Sequence, residues 1–303
     1  MSQTMLQLVQ QVSAELNLAV PTYVAGNPSQ DVQQILALMN GSGYDLLKEY
    51  DWQALQVQYR FYTQAITTNA TTVDGTTLLT VDSGTDISNV TKQWQITGYN
   101  INQDTNVVTA DNTTKEIVMS QMASGTGTGS VVLAQTAYDL PADFETITDR
   151  THWDKTKHWE MLGPEDAQQW QWLKSGYIST GPRIRWRILD NQFQIWPPMN
   201  TQEYLGWEYR SKGWARSSTG AIKNSFTTDT DTTVYDDRIV VLATKLKYFQ
   251  VKNFDTTALS QDYQRYLSVA KANDKGAPNL SFAPYPSKVL IGYANIPDTG
   301  YGS

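Results

Sequence analysis

A chain of 303 residues with 30 acidic and 23 basic side chains, a net charge of -7 and no cysteine excludes disulfide frameworks, thiol nucleophiles and thiolate metal sites. Its length exceeds the roughly 250 residues at which single cores stop growing, so more than one core is expected. Residues 1–140 hold four Lys/Arg against twelve Asp/Glu and residues 141–303 hold nineteen against eighteen, which argues against a repressor or nucleic-acid coat, because phosphate contacts need clustered Lys and Arg.

No basic run followed by an apolar segment opens the chain, and no apolar stretch approaches the roughly 20 residues that span a bilayer, so a soluble, unsorted chain is expected. Residues 4–16 set Met5, Leu6, Val9, Val12 and Leu16 on one stripe at helical spacing. After a loop with Pro21 and Gly26, Asn27 as cap and Pro28 in the first turn predict a second helix. Its apolar face runs Val32, Ile35, Leu36, Met39, Leu46, Leu47 and Tyr50. Gly41-Ser42-Gly43 interrupts it at about 1 kcal/mol per glycine relative to alanine, which predicts a bend or break.

From Gln56 to Tyr138 the period falls to two, in short runs rich in Thr, Val and Ile divided by Asp-Gly, Ser-Gly and Asn. Strands are expected at 56–62, 78–81, 92–99, 107–110, 117–120 and 131–135. Gly125-Thr126-Gly127-Thr128-Gly129 opens no helix, so it fails the test for a dinucleotide loop and reads as a flexible hairpin turn.

Eight of the ten tryptophans fall between Leu140 and Arg216, a density that suits a surface meeting other chains as much as a core. Strands are expected there at 144–152, 183–189, 192–196 and 204–210, with a short helix at 164–174. Arg183, Arg185 and Arg187 alternate with Ile184, Trp186 and Ile188, so three guanidiniums share one strand face. In an acidic protein such a face suits carboxylates of a neighbouring subunit. Val234, Ile239, Leu242, Leu246 and Phe249, then Leu259, Tyr263, Tyr266, Leu267 and Ala270, predict an antiparallel helix hairpin over 231–272 with Asp255 as cap at its turn. Past Gly276 prolines and glycines dominate, and Phe282, Tyr285, Tyr293 and Tyr301 are what a segment that orders on a partner would use.

Catalytic and metal readings find little support. Asp229, Asp231, Asp236 and Asp237 lack the glycine and distal glutamate of a calcium loop and suit a helix start. His152 and His158 have no third ligand and read as core or surface residues. Asp143, Glu145, Glu160, Glu165 and Asp166 lie among the tryptophans, as the acids of a glycoside hydrolase would, but carboxylates are common on any acidic surface. Neither enzymatic activity nor a cofactor is expected.

The elements sum to an α+β protein. A helical bundle joins the N-terminal helices (1–55) to a C-terminal helix hairpin (231–276). The other parts are an inserted β-rich domain (56–138), a Trp-rich mixed region with a small antiparallel β-sheet (139–230) and an extended C-terminal tail (277–303). Tyr50-Asp51-Trp52 follows the two helices, and after it come Tyr138-Asp139-Leu140-Pro141-Ala142-Asp143-Phe144, Trp153-Asp154, Gly163-Pro164, Gly181-Pro182-Arg183, Trp196-Pro197, Glu208-Tyr209 and Trp214. Together with Phe226, Asp229 and Asp231 ahead of the helix hairpin, these signatures make the chain resemble, over most of its length, the head-to-tail adaptor proteins of short-tailed bacteriophages.

That resemblance implies a virion structural protein forming a ring, usually dodecameric, in the neck between capsid portal and tail. Helices would build the ring, β parts would face outward or toward the tail, and the C-terminal extension would grip the portal. The partners implied are further copies of the chain, the portal protein, a tail nozzle or tail tube protein, and double-stranded DNA passing without sequence specificity during genome retention and ejection, with no membrane. An acidic lumen would let DNA slide without sticking. Two alternatives stay open: another tail component (nozzle, tube or decoration protein), or a carbohydrate-binding or cell-wall-degrading module that uses tryptophans such as Trp170 or Trp172.

Overall fold

The computed structural model describes residues 2–175 and 183–275. Helix α1 (Met5–Glu15) opens on a capping box, in which the Gln7 amide donates to the Thr4 hydroxyl and the Thr4 amide donates to the Gln7 side chain. Helix α2 (Gln30–Glu49) starts after Ser29, because Asn27 instead turns the chain by accepting from the Ser29 amide. It runs unbroken through Gly41-Ser42-Gly43. The glycine serves packing there: a Cβ on Gly43 would sit 2.4 Å from the Trp214 indole.

A short 3-10 turn (Gln53–Leu55) leads into β1 (Gln56–Tyr62). The chain then forms a closed antiparallel barrel from β2 (Ala65–Thr72), β3 (Leu78–Val81), β4 (Trp94–Gly98), β5 (Thr105–Asp111), β6 (Glu116–Met119) and β7 (Gly127–Gln135), in the order β2-β3-β6-β5-β4-β7. Its interior is filled by Leu79, Trp94, Ile96, Val107, Ile117, Val131, Leu133 and their neighbours. Gly127 and Gly129 belong to β7 and not to a turn, since the Tyr99 ring lies against both and would meet a Cβ on Gly129 at 2.4 Å.

Next come β8 (Ala137–Asp139), β9 (Phe144–Ile147), β10 (Trp153–Asp154), β11 (Trp159–Glu160), α3 (Ala167–Lys174), β12 (Arg185–Leu189), β13 (Gln192–Trp196) and β14 (Tyr204–Ser211). One sheet has the order β1-β14-β10-β11, with β9 also on β14; a second has the order β12-β13-β8. Trp186, Phe193, Leu205, Trp207 and Tyr209 fill the space between them, with Tyr59 and Phe61 of β1 packed alongside. β1 pairs with β14 from Gln56↔Arg210 to Tyr62↔Tyr204, so this strand lies in the Trp-rich sheet and the barrel itself spans 65–135.

The last part holds a small sheet of β15 (Ala215–Arg216), β16 (Ile222–Lys223) and β17 (Thr232–Thr233), followed by α4 (Asp237–Val251) and α5 (Thr257–Lys275). The turn between these helices is capped by Asp255, which accepts from the Thr257 amide. Helix α4 touches α1, α2 and α5, and its residues 239–244 are all buried, as expected of a helix sheathed on every side. Met5, Leu8, Ile35, Met39, Leu46, Trp214, Phe226 and Ile239 share this core.

The fold is therefore mostly β, and not a helical bundle with a small sheet: seventeen strands and five α-helices are found among the described residues. Two features account for the difference. The barrel closes through β2, whose inward Thr68 and Thr72 give no apolar alternation, and β1 finds its partner at the far end of the Trp-rich region. Gly43→Ala is expected to lose about 1–3 kcal/mol of stability in urea unfolding, because the added methyl must push the buried indole aside.

Candidate functional site

The acidic cluster before α4 is a set of ties. Asp231 is fully buried and accepts from Lys223 Nζ at 2.5 Å, from the Thr227 and Thr228 amides at 2.8 and 2.9 Å, and from the Thr228 hydroxyl at 2.6 Å. Burial alone would raise its carboxyl, but the bonds from Lys223, Thr227 and Thr228 outweigh that and hold it at about 2. Asp229 accepts from the Val24 and Ala25 amides, while its carbonyl and that of Asp231 accept from the Leu6 and Met5 amides. Asp236 caps α4, and Asp237 accepts from the Gln3 amide and the Ser2 hydroxyl. These carboxylates lash the start of α1 and the loop after it to the segment entering α4. A further tie between the two helices is Glu15: burial would raise its carboxyl, but bonds from Lys245, Gln11 and Arg238 hold it at about 2. No group of three or more His, Asp or Glu side chains among the described residues is placed to share a metal ion.

The acids among the tryptophans are mostly committed as well. Asp143 accepts from the Tyr209 and Ser211 hydroxyls, Glu145 pairs with Lys48, Glu165 pairs with Arg185, and Asp166 caps α3. Glu160 stands opposite Trp153 at the edge of the first sheet. A cleft beside Trp52 and Tyr235 holds two acids, of which Asp236 caps α4 and Asp274 accepts from the Gln53 and Ala54 amides.

His152 is a core residue. It is 1% exposed and stacks on Trp186 with 3.9 Å between ring centroids, near-parallel to Phe193 and Trp207. Burial pushes it down to about 4, with no charged neighbour offsetting that cost. His152 Nε2 and the indole nitrogens of Trp186 and Trp207 find no hydrogen-bond partner among the described residues. His158 is exposed. Of the tryptophans singled out for glycan contact, Trp170 is buried against Leu173 and Trp196, whereas Trp172 is 48% exposed; Trp159, which sequence did not single out, is 41% exposed.

Arg183 is exposed just ahead of β12, Arg185 is held by Glu165 at 2.5 Å, and Arg187 is half-buried opposite Gln194. Arg183 and Arg187 pair with no carboxylate among the described residues. Phe282, Tyr285, Tyr293 and Tyr301, like Gly181-Pro182, lie outside the described residues. Helix α5 is the most open element of the helical layer: of its described side chains only Leu267 is fully buried, while Tyr266 and Val269 face outward and Val251 and Phe254 project from its turn with α4. Tyr266 does not belong to the inner stripe, and its ring lies near Arg238 and Arg265. Helical spacing gave no signal of this, since at 3.6 residues per turn position 266 lies only about 40–60° around the helix from Ala270 and Tyr263.

No family model matches the chain, and no curated protein sequence matches it.

An unfolded histidine titrates near 6.5, so below that pH the unfolded chain takes up a proton that folded His152 refuses until about 4. Stability is therefore expected to fall by about 3 kcal/mol as pH drops through this window. His152→Phe, which keeps a ring in the stack, should flatten that part of the slope in urea unfolding across pH. Asp231→Asn should cost about 3 kcal/mol at neutral pH by leaving Lys223 without its buried partner, and hydrogen exchange should show the start of α1 opening more often.

Proposed function

We propose that the protein is a virion structural component that assembles into a ring between the capsid portal and the tail of a short-tailed phage and extends the channel through which DNA is retained and ejected. The resemblance to head-to-tail adaptors suggests twelve copies. The observation that supports the reading best is the open face of α5: a helix on a layer built from both chain ends, with Tyr266, Val269, Val251 and Phe254 outward, offers a surface for side-by-side packing of copies. Arg183 and Arg187, which have no partner carboxylate among the described residues, suit pairing across such an interface. The segment 277–303 is assigned to the portal.

A glycan-binding module is the second reading, favoured by exposed Trp159 and Trp172. Native mass spectrometry of the full chain, co-expressed with the genes that flank it, separates the two. A cyclic multiple bound to a larger ring-forming protein is the expected result; a partnerless monomer that binds cell-wall polysaccharide would overturn the adaptor reading. Reversing Arg183 and Arg187 together to Glu should lower the assembled fraction in sedimentation while leaving circular dichroism unchanged. Deleting 277–303 should abolish portal binding and leave the copy–copy contacts intact.

A further inference from the structure

The outer wall of the barrel gathers five exposed hydrophobic side chains: Val73 (50% exposed), Leu78 (41%), Val108 (51%), Val118 (36%) and Met122 (61%). Strand register makes them neighbours. Leu78 of β3 stands opposite Val118 of β6, and Val118 stands opposite Thr109 of β5. Opposed residues of antiparallel strands point to one face, here the outside, because Leu79, Ile117 and Met119 next to them fill the interior. A bulge between Val107 and Thr109 inserts an extra residue in β5 and turns Val108 outward beside Thr109. Val73 directly follows β2, and a turn closed by the Thr76 amide on the Val73 carbonyl returns the chain toward Leu78. Ala123 donates to the Thr76 carbonyl, which sets Met122 beside this turn. The next outward row reads Thr71, Thr80, Glu116 and Asp111, giving the patch a polar rim.

We propose that this patch seats against a second copy of the chain, the adjacent subunit of the assembly, a contact that rests on the ring reading above. Two observations choose that occupant. Residues 1–140, which include the barrel, carry four basic against twelve acidic side chains and residues 141–303 carry nineteen against eighteen, so the patch meets least repulsion against the balanced part of another copy, a head-to-tail contact of the kind that closes rings. The five side chains expose roughly 400 Å², about half of the roughly 800 Å² that each partner of a stable complex buries. That area is too small to hold a free partner, and it suits a contact repeated around a ring whose copies are already tethered by other surfaces.

The chain has no cysteine, so Val118→Cys and Leu78→Cys each introduce a single, exposed thiol that can carry a maleimide-benzophenone. Photolysis of the assembled full-length protein, prepared from mixed heavy- and light-isotope copies, should yield a product of twice the 34.1 kDa chain mass containing both isotopes. Crosslinks to a different protein only, or no crosslink from either position, would overturn the proposal. Native mass spectrometry of the same sample keeps the two ideas apart. A ring without copy–copy crosslinks sinks the patch and spares the ring, whereas mixed-isotope crosslinks in a sample with no cyclic multiple sink the ring and spare the patch.

Discussion

Trp214 lies against the backbone of α2 at Gly43, edge-on to Phe226 and near-parallel to Tyr235, and the helices from both ends of the chain close around this cluster. Full burial of a large apolar side chain contributes about 1.5–3 kcal/mol, while a buried donor without a partner costs about 1–3 kcal/mol. The Trp214 indole nitrogen is such a donor among the described residues, so its direct yield is nearly cancelled. What Trp214 supplies is shape: it fills the space that lets α4 run buried between α1, α2 and α5. With α1 and α2 joined to α4 and α5 in this way, the barrel and the Trp-rich sheets are excursions from one helical layer.

Electrostatics then locks what packing assembles. Asp231, Asp229 and Asp237 hold the N-terminal segment against the entry to α4, and Glu15 adds a bridge to Lys245 and Arg238. Between the two sheets the opposite rule holds, because Trp186, Phe193, Trp207 and His152 form a nearly all-ring core in which a proton on the imidazole would have no counter-charge. Surfaces left over from these duties are the outer face of α5, Arg183 and Arg187 beside β12, and the aliphatic wall of the barrel.

The helices were legible because their apolar stripes are local. Both ends of β1, β3 and β13 were legible too, since alternation and turn residues bound them. The company of β1 was not, because Gln56 meets Arg210 and no local pattern encodes so distant a partner. β2 was silent because threonine occupies both of its faces, and Thr72 is satisfied inside the barrel by donating to the Gly125 carbonyl. Glycine misled twice, at Gly43 and at Gly127 and Gly129, since a residue that breaks an element and one that admits a neighbouring ring look alike in sequence. The arginine strand was legible as a face, but Glu165 takes Arg185 from twenty residues upstream. The tail aromatics fall outside the described residues.

Hydrogen exchange read by mass spectrometry through a urea series tests most directly whether both chain ends form one unit. The account predicts that amides of α1, α2 and α4 open in a single event at one free energy, while the barrel strands β2–β7, which have their own core, open in a separate event. Exchange of α1 and α2 at low urea while α4 stays protected would contradict it, and would mean that Trp214 and the aspartate ties do not join the ends of the chain.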